Sequence, residues 1–160
     1  MPISIGIVDD SPAIRKVLRD VFKTKTNWQI CGEAENGEAA AELVRQVHPD
    51  LLVLDLSMPV MNGLDAARKI KVVSPRTGIV LYTGHASDQL EVEAKAIGIR
   101  AVLAKDGPAS LERLLATLDE ASQREFSGVG SGGQMDNMTL KTAIGKLALA
   151  GEQADSASSK

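Results

Sequence analysis

Carboxylate, hydroxyl and ammonium side chains follow short apolar runs in this sequence. Asp9 and Asp10 follow the first run, Asp55 lies at the end of the most apolar run, and Thr83 and Lys105 follow two later runs. Carboxylates that converge on one crevice repel one another, so either their pKa values rise or a cation neutralises them. A small set of oxygen ligands favours Mg²⁺, which keeps water in its other coordination positions. We therefore predict a Mg²⁺ site with Asp10 and Asp55 as ligands and Asp9 acting directly or through water.

A metal ion beside a carboxylate, a lysine and a hydroxyl is suited to phosphoryl transfer. Asp55 would be the nucleophile and would become an aspartyl phosphate. Lys105 would pair with one phosphoryl oxygen, while the Thr83 hydroxyl and the Gly84 amide would donate hydrogen bonds to another. The backbone carbonyl of Ser57 is a further predicted metal ligand.

Apolar runs that alternate with amphipathic helical patterns must position these side chains. In the first helical pattern, Ser11 is a candidate N-cap and Pro12 stands at the first helical position. Later helical patterns end at His48-Pro49 and at Gly98. The predicted strands are Ile3 to Val8, Trp28 to Ala34, Leu51 to Leu56, Ile79 to Tyr82, and Ala101 to Ala104.

Continuously apolar strands separated by helices predict a parallel sheet that is covered on both faces. The expected fold is α/β, a flavodoxin-like doubly wound (βα)5 sandwich. Ligands of such folds bind beyond the carboxyl ends of the strands. The candidate chemical residues all lie at or just after the carboxyl ends of strands, so we expect them to share that edge.

Composition restricts the classes of function. A net charge of −3 gives no electrostatic footprint for nucleic acid, and 2% aromatic residues leave little material for base stacking. The single cysteine, Cys31, excludes an intramolecular disulfide and suits a reducing compartment; we expect it to be a small core side chain. Neither a signal peptide nor an unbroken apolar run is present, so we expect a cytoplasmic protein without a membrane segment.

The composition changes near Phe126, where a Gly/Ser-rich stretch begins. We expect one domain over residues 1–125 and a linker with a disordered tail over residues 126–160. Within that tail, Leu140, Ile144 and Leu147 have helical spacing, but a short isolated helix is marginal in water.

Several short segments together resemble the response-regulator receiver domain of two-component signalling over about residues 1 to 122. They are Val8-Asp9-Asp10, Leu54-Asp55-Leu56-Ser57-Met58-Pro59 with Asn62-Gly63, Tyr82-Thr83-Gly84, and Leu103-Ala104-Lys105. The resemblance implies strand order 2-1-3-4-5. It also implies that Asp55 accepts a phosphoryl group from a histidine kinase with Mg²⁺ and later loses it to water. The chain would then be a signalling phosphoacceptor that switches a partner-binding surface, rather than an enzyme that releases a product.

Two departures from the family pattern bear on partners. Val102 occupies the position three residues before the lysine where receivers usually carry Tyr or Phe, so the aromatic ring of the usual readout is missing there. Asp106-Gly107-Pro108 after the lysine is similar to receivers fused to LuxR-type helix-turn-helix outputs. We expect a histidine kinase or phosphotransfer protein upstream and an output protein or a lost DNA-binding domain downstream. The resemblance is also compatible with a homodimer.

Three other functions compete with this interpretation. A phosphatase of the haloacid-dehalogenase type needs a second acid two residues after the nucleophile, where this chain has Ser57. A flavodoxin needs a phosphate cradle after the first strand, where Asp9 and Asp10 would repel a phosphate. A phosphorylation-independent binding module stays open because of Val102.

Overall fold

The computed structural model describes residues 2–125, which form alternating strands and helices. The strands are β1 Ile3–Val8, β2 Trp28–Ala34, β3 Leu51–Leu54, β4 Gly78–Thr83 and β5 Ala101–Ala104. The helices are α1 Pro12–Phe22, α2 Gly37–Val47, α3 Gly63–Val73, α4 Asp88–Ile97 and α5 Ala109–Glu125.

All five strands pair in parallel in one sheet of order β2-β1-β3-β4-β5, which confirms the predicted doubly wound fold. The order reverses at β1, so β1 and β3 lie side by side although β2 separates them in sequence. The residues that follow β1 and β3 therefore meet at the edge where ligands of this fold bind.

The first four helices begin at polar caps close to that edge. In each of them, an oxygen of the capping side chain accepts a hydrogen bond from the backbone N–H three residues later, which satisfies one donor of the first turn. The caps are Ser11, Asn36, Asn62 and Ser87. Ser11 confirms the predicted start of α1.

Aliphatic side chains fill the space on both faces of the sheet. One face of β1, β3 and β4 packs with α1 and α5, and Ile5, Ile7 and Tyr82 belong to this cluster. The other face packs with α2, α3 and α4, and Val8 and Leu54 belong to that cluster. Central strands buried on both sides fix the register of the sheet, and hence the places where Asp9 and Asp55 emerge.

Three side chains differ from the predictions. Cys31 is only half-buried, because β2 is an edge strand rather than a central one. Val47 has helical spacing with Ala40 and Val44, which predicts a place on the buried face of α2, but it is 42% exposed at the end of the helix. His48 ends α2 in the left-handed region at φ 44° rather than in the extended conformation expected before proline, and its Nδ1 lies 3.2 Å from Ser74 Oγ.

The predicted linker and tail, residues 126–160, lie outside the described residues. Within residues 2–125, no helix is both long enough and apolar enough to cross a membrane.

Candidate functional site

The acid pair after β1 has two different environments. Asp9 is 3% exposed; its backbone N–H donates to the Ala34 carbonyl at 3.1 Å, and its Oδ1 accepts the Ser11 amide at 2.9 Å. Asp10, the next residue, has an exposed side chain. The start of α1 therefore anchors one carboxylate in the protein and leaves the other at the mouth of the pocket.

Asp55 emerges from β3 beside this pair and is 6% exposed. Its backbone N–H donates to the Val8 carbonyl at 2.9 Å, which continues the β1–β3 pairing, and its Oδ1 accepts the Leu56 amide at 2.9 Å. Gly63, at the start of α3, passes close to the Asp55 backbone. A Cβ atom at position 63 would lie 2.2 Å from the Asp55 carbonyl oxygen, so the turn from β3 to α3 requires glycine there.

Lys105 reaches the same carboxylates from β5. Its backbone N–H donates to the Thr83 carbonyl at 2.8 Å, which holds the lysine against the end of β4. Its Nζ forms an ion pair with Asp9 Oδ2 and lies 3.5 Å from Asp55 Oδ1. The ammonium also lies 5.4 Å from the centroid of the Tyr82 ring, within the range of a cation–π contact.

The three carboxylates lie close enough to disturb one another's ionisation. One oxygen from each of Asp9, Asp10 and Asp55 lies within 4.8 Å of the other two. Burial, together with the charges of Asp9 and Asp10, raises the pKa of Asp55 to about 6, although Lys105 opposes this shift. Desolvation and the Asp9 charge also raise the pKa of Asp10. One lysine therefore compensates this group of acids only in part.

These residues fit a small, hard divalent cation. The donors are carboxylate oxygens alone, their mutual repulsion favours an added positive charge, and water has access on the Asp10 side. Asp9, Asp10 and Asp55 lie together as expected and are the residues that could hold Mg²⁺, while their role as ligands stays a prediction.

Thr83, Gly84 and Ser57 lie on the same edge of the sheet. Thr83 ends β4, is fully buried, and its Oγ1 accepts the His85 amide at 3.2 Å. A Cβ atom at Gly84 would meet nothing within 4 Å, so the backbone there is open to a ligand. Ser57 is exposed and, with Asp10, lines a cleft of about 660 Å³. The roles assigned to these three residues remain predictions.

Two contacts of the site were absent from the sequence predictions. The Arg15 guanidinium donates to the Asp9 carbonyl at 2.6 Å and pairs with Glu33 at 3.5 Å. Tyr82 lies beneath Lys105, although its sequence position suggested only a core residue of β4. In the sequence, the contact between Arg15 and Asp9 was indicated only by the position of a basic residue in the first turns of the helix that follows the acid pair.

The fold and the pocket define a doubly wound α/β protein with an acidic group at the carboxyl edge of its sheet, and comparison with known proteins gives the family. The family model for the response regulator receiver domain matches residues 5–119. The transcriptional regulatory protein YdfI of Bacillus subtilis is 38% identical over 115 residues, 72% of this chain and 53% of that protein. The chemotaxis protein CheY of Thermotoga maritima is 32% identical over 117 residues, 73% of this chain and 95% of that protein.

A solved structure gives the same result for the fold. A LuxR-family DNA-binding response regulator from Staphylococcus aureus superposes with a TM-score of 0.68 at 23% identity, over 74% of this chain and 98% of that one. Because the family model matches most of its length, the chain belongs to the response regulator receiver domains of two-component signalling. It spans about half the length of YdfI and nearly all of CheY.

Proposed function

We propose that this chain is a phosphoacceptor: Asp55 receives a phosphoryl group from the phosphohistidine of a histidine kinase or phosphotransfer protein. The observation that carries the proposal is the position of the Asp55 carboxylate. It is nearly buried at the end of β3, shares a pocket with two other carboxylates, and has an ammonium 3.5 Å from Oδ1. A carboxylate ending an apolar strand is costly unless it has a function or a partner.

The transfer conserves atoms and charge. An Asp55 carboxylate oxygen forms an O–P bond as the N–P bond of the donor phosphohistidine breaks, and the electron pair of that bond returns to the imidazole nitrogen. Hydrolysis later releases phosphate and restores the Asp55 carboxylate. The chain thus acts on its own side chain, and its product is an altered surface.

The same geometry suggests how the carboxylates divide their roles. Asp9 Oδ1 already accepts the Ser11 amide and Oδ2 already pairs with Lys105, which favours its acting on Mg²⁺ through water. Asp10 and Asp55 would hold the ion directly, with the Ser57 backbone carbonyl as a further ligand. When bound, Mg²⁺ supplies positive charge against the phosphoryl oxygens.

The remaining polar groups would bind the new phosphoryl oxygens. Lys105, next to Asp55 Oδ1, would pair with one of them as a point charge. Thr83 Oγ1 accepts the His85 amide and would donate its own proton to another, beside the open Gly84 amide.

The proposed function also implies partners, domain bounds and a location. The partners are a histidine kinase or phosphotransfer protein upstream and an output protein downstream. We propose residues 1–125 as the receiver domain, residues 126–160 as a linker and tail, and the cytoplasm as the location.

Intact-mass measurement tests the proposal. After incubation with phosphoramidate and Mg²⁺, we expect one phosphoryl adduct on the wild-type chain and none on Asp55→Asn. Asp65→Asn, an exposed acid of α3, is the matched control and should keep the adduct. If neither small donors nor phosphorylated kinases give an adduct, the phosphorylation-independent binding module replaces this proposal.

A further inference from the structure

Tyr82 connects the pocket to α5. It is the only tyrosine of the chain and stands one residue before Thr83 on β4. Its ring is 1% exposed and belongs to the core cluster between the sheet and helices α1 and α5. At its far end, the hydroxyl lies 2.9 Å from Ser110 Oγ, in the first turn of α5, and Ser110 is itself 1% exposed.

The near side of the same ring faces the charge of the pocket. Lys105 Nζ lies 5.4 Å from the ring centroid while it pairs with Asp9 and approaches Asp55 Oδ1 at 3.5 Å. The ammonium is therefore shared between two carboxylates and one aromatic face. A change of charge at Asp55 therefore changes how strongly Lys105 is attracted to that side chain relative to Asp9 and the Tyr82 ring.

Val102 lies on the opposite side of the sheet. It pairs with Leu81, and it packs with the cluster that contains α4, whereas Tyr82 pairs with Leu103 on the α5 side. Its aliphatic side chain offers neither a hydrogen bond nor a ring to the pocket. The polar connection through Tyr82 therefore leaves the pocket on the α5 face rather than the α4 face.

We propose that Tyr82 is a positioning residue that couples the phosphorylation state of Asp55 to the first turn of α5, through Lys105 on its ring and Ser110 on its hydroxyl. The inference rests on the proposed function of Asp55. A phosphoryl group brings more negative charge than the carboxylate it modifies, so the ammonium moves toward the phosphoryl oxygens and away from the ring. Departure of the ammonium removes one of the contacts that fix the Tyr82 ring, and the ring shifts. Because separating the buried hydroxyls of Tyr82 and Ser110 is costly, the shift of the ring carries Ser110 with it.

The absorbance of the single tyrosine gives the first test. Phosphorylation of the full chain with phosphoramidate and Mg²⁺ should shift the near-ultraviolet tyrosine band, because the cation above the ring moves. The shift should be absent from Asp55→Asn and from Tyr82→Phe. A wild-type chain that carries the adduct without any shift would contradict movement of Lys105 relative to the ring.

Hydrogen exchange gives the second test. Phosphorylation should change amide exchange in residues 110–114 of the wild-type chain at least about threefold, a change expected when one turn of a helix is loosened or tightened. Tyr82→Phe keeps the ring under Lys105 and should still be phosphorylated, but it should lose this change. Ser110→Ala should lose the exchange change as well. If Tyr82→Phe does not fold, Ser110→Ala alone tests whether the hydroxyl pair carries the coupling. Val102→Ala is the matched control and should keep the change.

The outcomes separate the two proposals. If Tyr82→Phe and Ser110→Ala are phosphorylated and still show the wild-type exchange change, coupling through Tyr82 is wrong. If Val102→Ala alone abolishes the change, the signal leaves by the α4 face. Failure of the wild-type chain to gain a phosphoryl adduct would instead overturn the function of Asp55.

Discussion

At the scale of single residues, the ionisation of Asp55 is the property from which the chemistry follows. Its carboxylate stands in a nearly buried position beside two acids of like charge, with a single lysine as compensation. The folded protein without a divalent ion therefore holds a carboxylate in a place that disfavours its charge. On the proposed function, this destabilisation of the empty site would be relieved when a cation binds beside Asp55.

The raised pKa of Asp55 predicts a pH-dependent stability in EDTA. The folded pKa of about 6 lies above the ordinary value of 3.8, so between these values the folded state binds more protons than the unfolded state. Stability should therefore fall as pH rises through this interval. Asp55→Asn removes the effect and should be more stable than wild type at pH 7, by up to about 3 kcal/mol. Urea unfolding at several pH values measures the difference.

The difference between the two proteins should shrink toward pH 4, where the wild-type carboxyl is protonated in the folded state. Asp65→Asn leaves the Asp55 carboxyl in place and should therefore keep the fall in stability with rising pH. Equal profiles for Asp55→Asn and wild type would contradict the raised pKa.

That the acids and the lysine lie at one edge of the sheet could be predicted from the sequence, because residues at the carboxyl ends of parallel strands meet there. Two contacts could not be predicted from the sequence: the ion pair between Lys105 and Asp9, and the position of the Tyr82 ring beneath the ammonium. Those contacts depend on side-chain conformations and on the packing of β4 against α5, which no local pattern specifies.

At the scale of elements, the segment from β3 to α3 sets the position of Asp55, the proposed phosphoacceptor. Met61 donates its amide to the Pro59 carbonyl at 2.7 Å, and Val60 between them has φ 68°, a γ-turn conformation that is strained for a β-branched residue. The Gly63 amide bonds the Leu56 carbonyl at 2.8 Å and closes the loop. The hydrogen bond between Leu56 and Gly63 thus joins the two ends of the loop, and the strained residue Val60 lies between them.

Gly63→Ala should disrupt this loop. The new Cβ would lie 2.2 Å from the Asp55 carbonyl oxygen, a backbone atom that cannot rotate away. We expect a loss of stability of about 2 kcal/mol or more and slower phosphorylation of Asp55. Thermal unfolding and intact-mass kinetics measure the two effects.

Gly84→Ala is the control for stability, since its added Cβ meets nothing within 4 Å. It should unfold at nearly the wild-type temperature. If both variants are equally stable, the close approach at Gly63 does not constrain the loop.

Sequence patterns identified most elements because the strands are short, apolar and bounded by polar residues. β1, β2 and β5 have the predicted bounds, whereas β3 ends at Leu54, before the predicted Leu56. The chain leaves the sheet at Asp55, whose side-chain oxygen accepts the Leu56 amide. Cys31 was assigned to the core because local pattern does not distinguish an edge strand from a central one.

At the scale of the whole molecule, two aliphatic clusters on opposite faces of one sheet hold the described residues together. The cluster that contains Tyr82 joins α1 and α5, which are distant in sequence, whereas the other joins the consecutive helices α2, α3 and α4. The described core thus closes at α5, just before the change of composition at Phe126.

A chain of residues 1–125 should therefore retain the fold and the reaction. We expect its free energy of unfolding to equal that of the full chain within error, and its phosphorylation by phosphoramidate to be as complete. Chemical denaturation and intact-mass measurement of both proteins make the comparison. A marked loss of stability on removal of residues 126–160 would mean that they pack on the domain.

The pocket draws its parts from both ends of the domain, since Lys105 and its partner Asp9 are 96 positions apart. A chain still emerging during synthesis has its three acids long before the lysine that opposes them. If Asp55 is the phosphoacceptor, a partly made molecule lacks the ammonium that would pair with a phosphoryl oxygen, and phosphorylation has to wait until the last strand has joined the sheet.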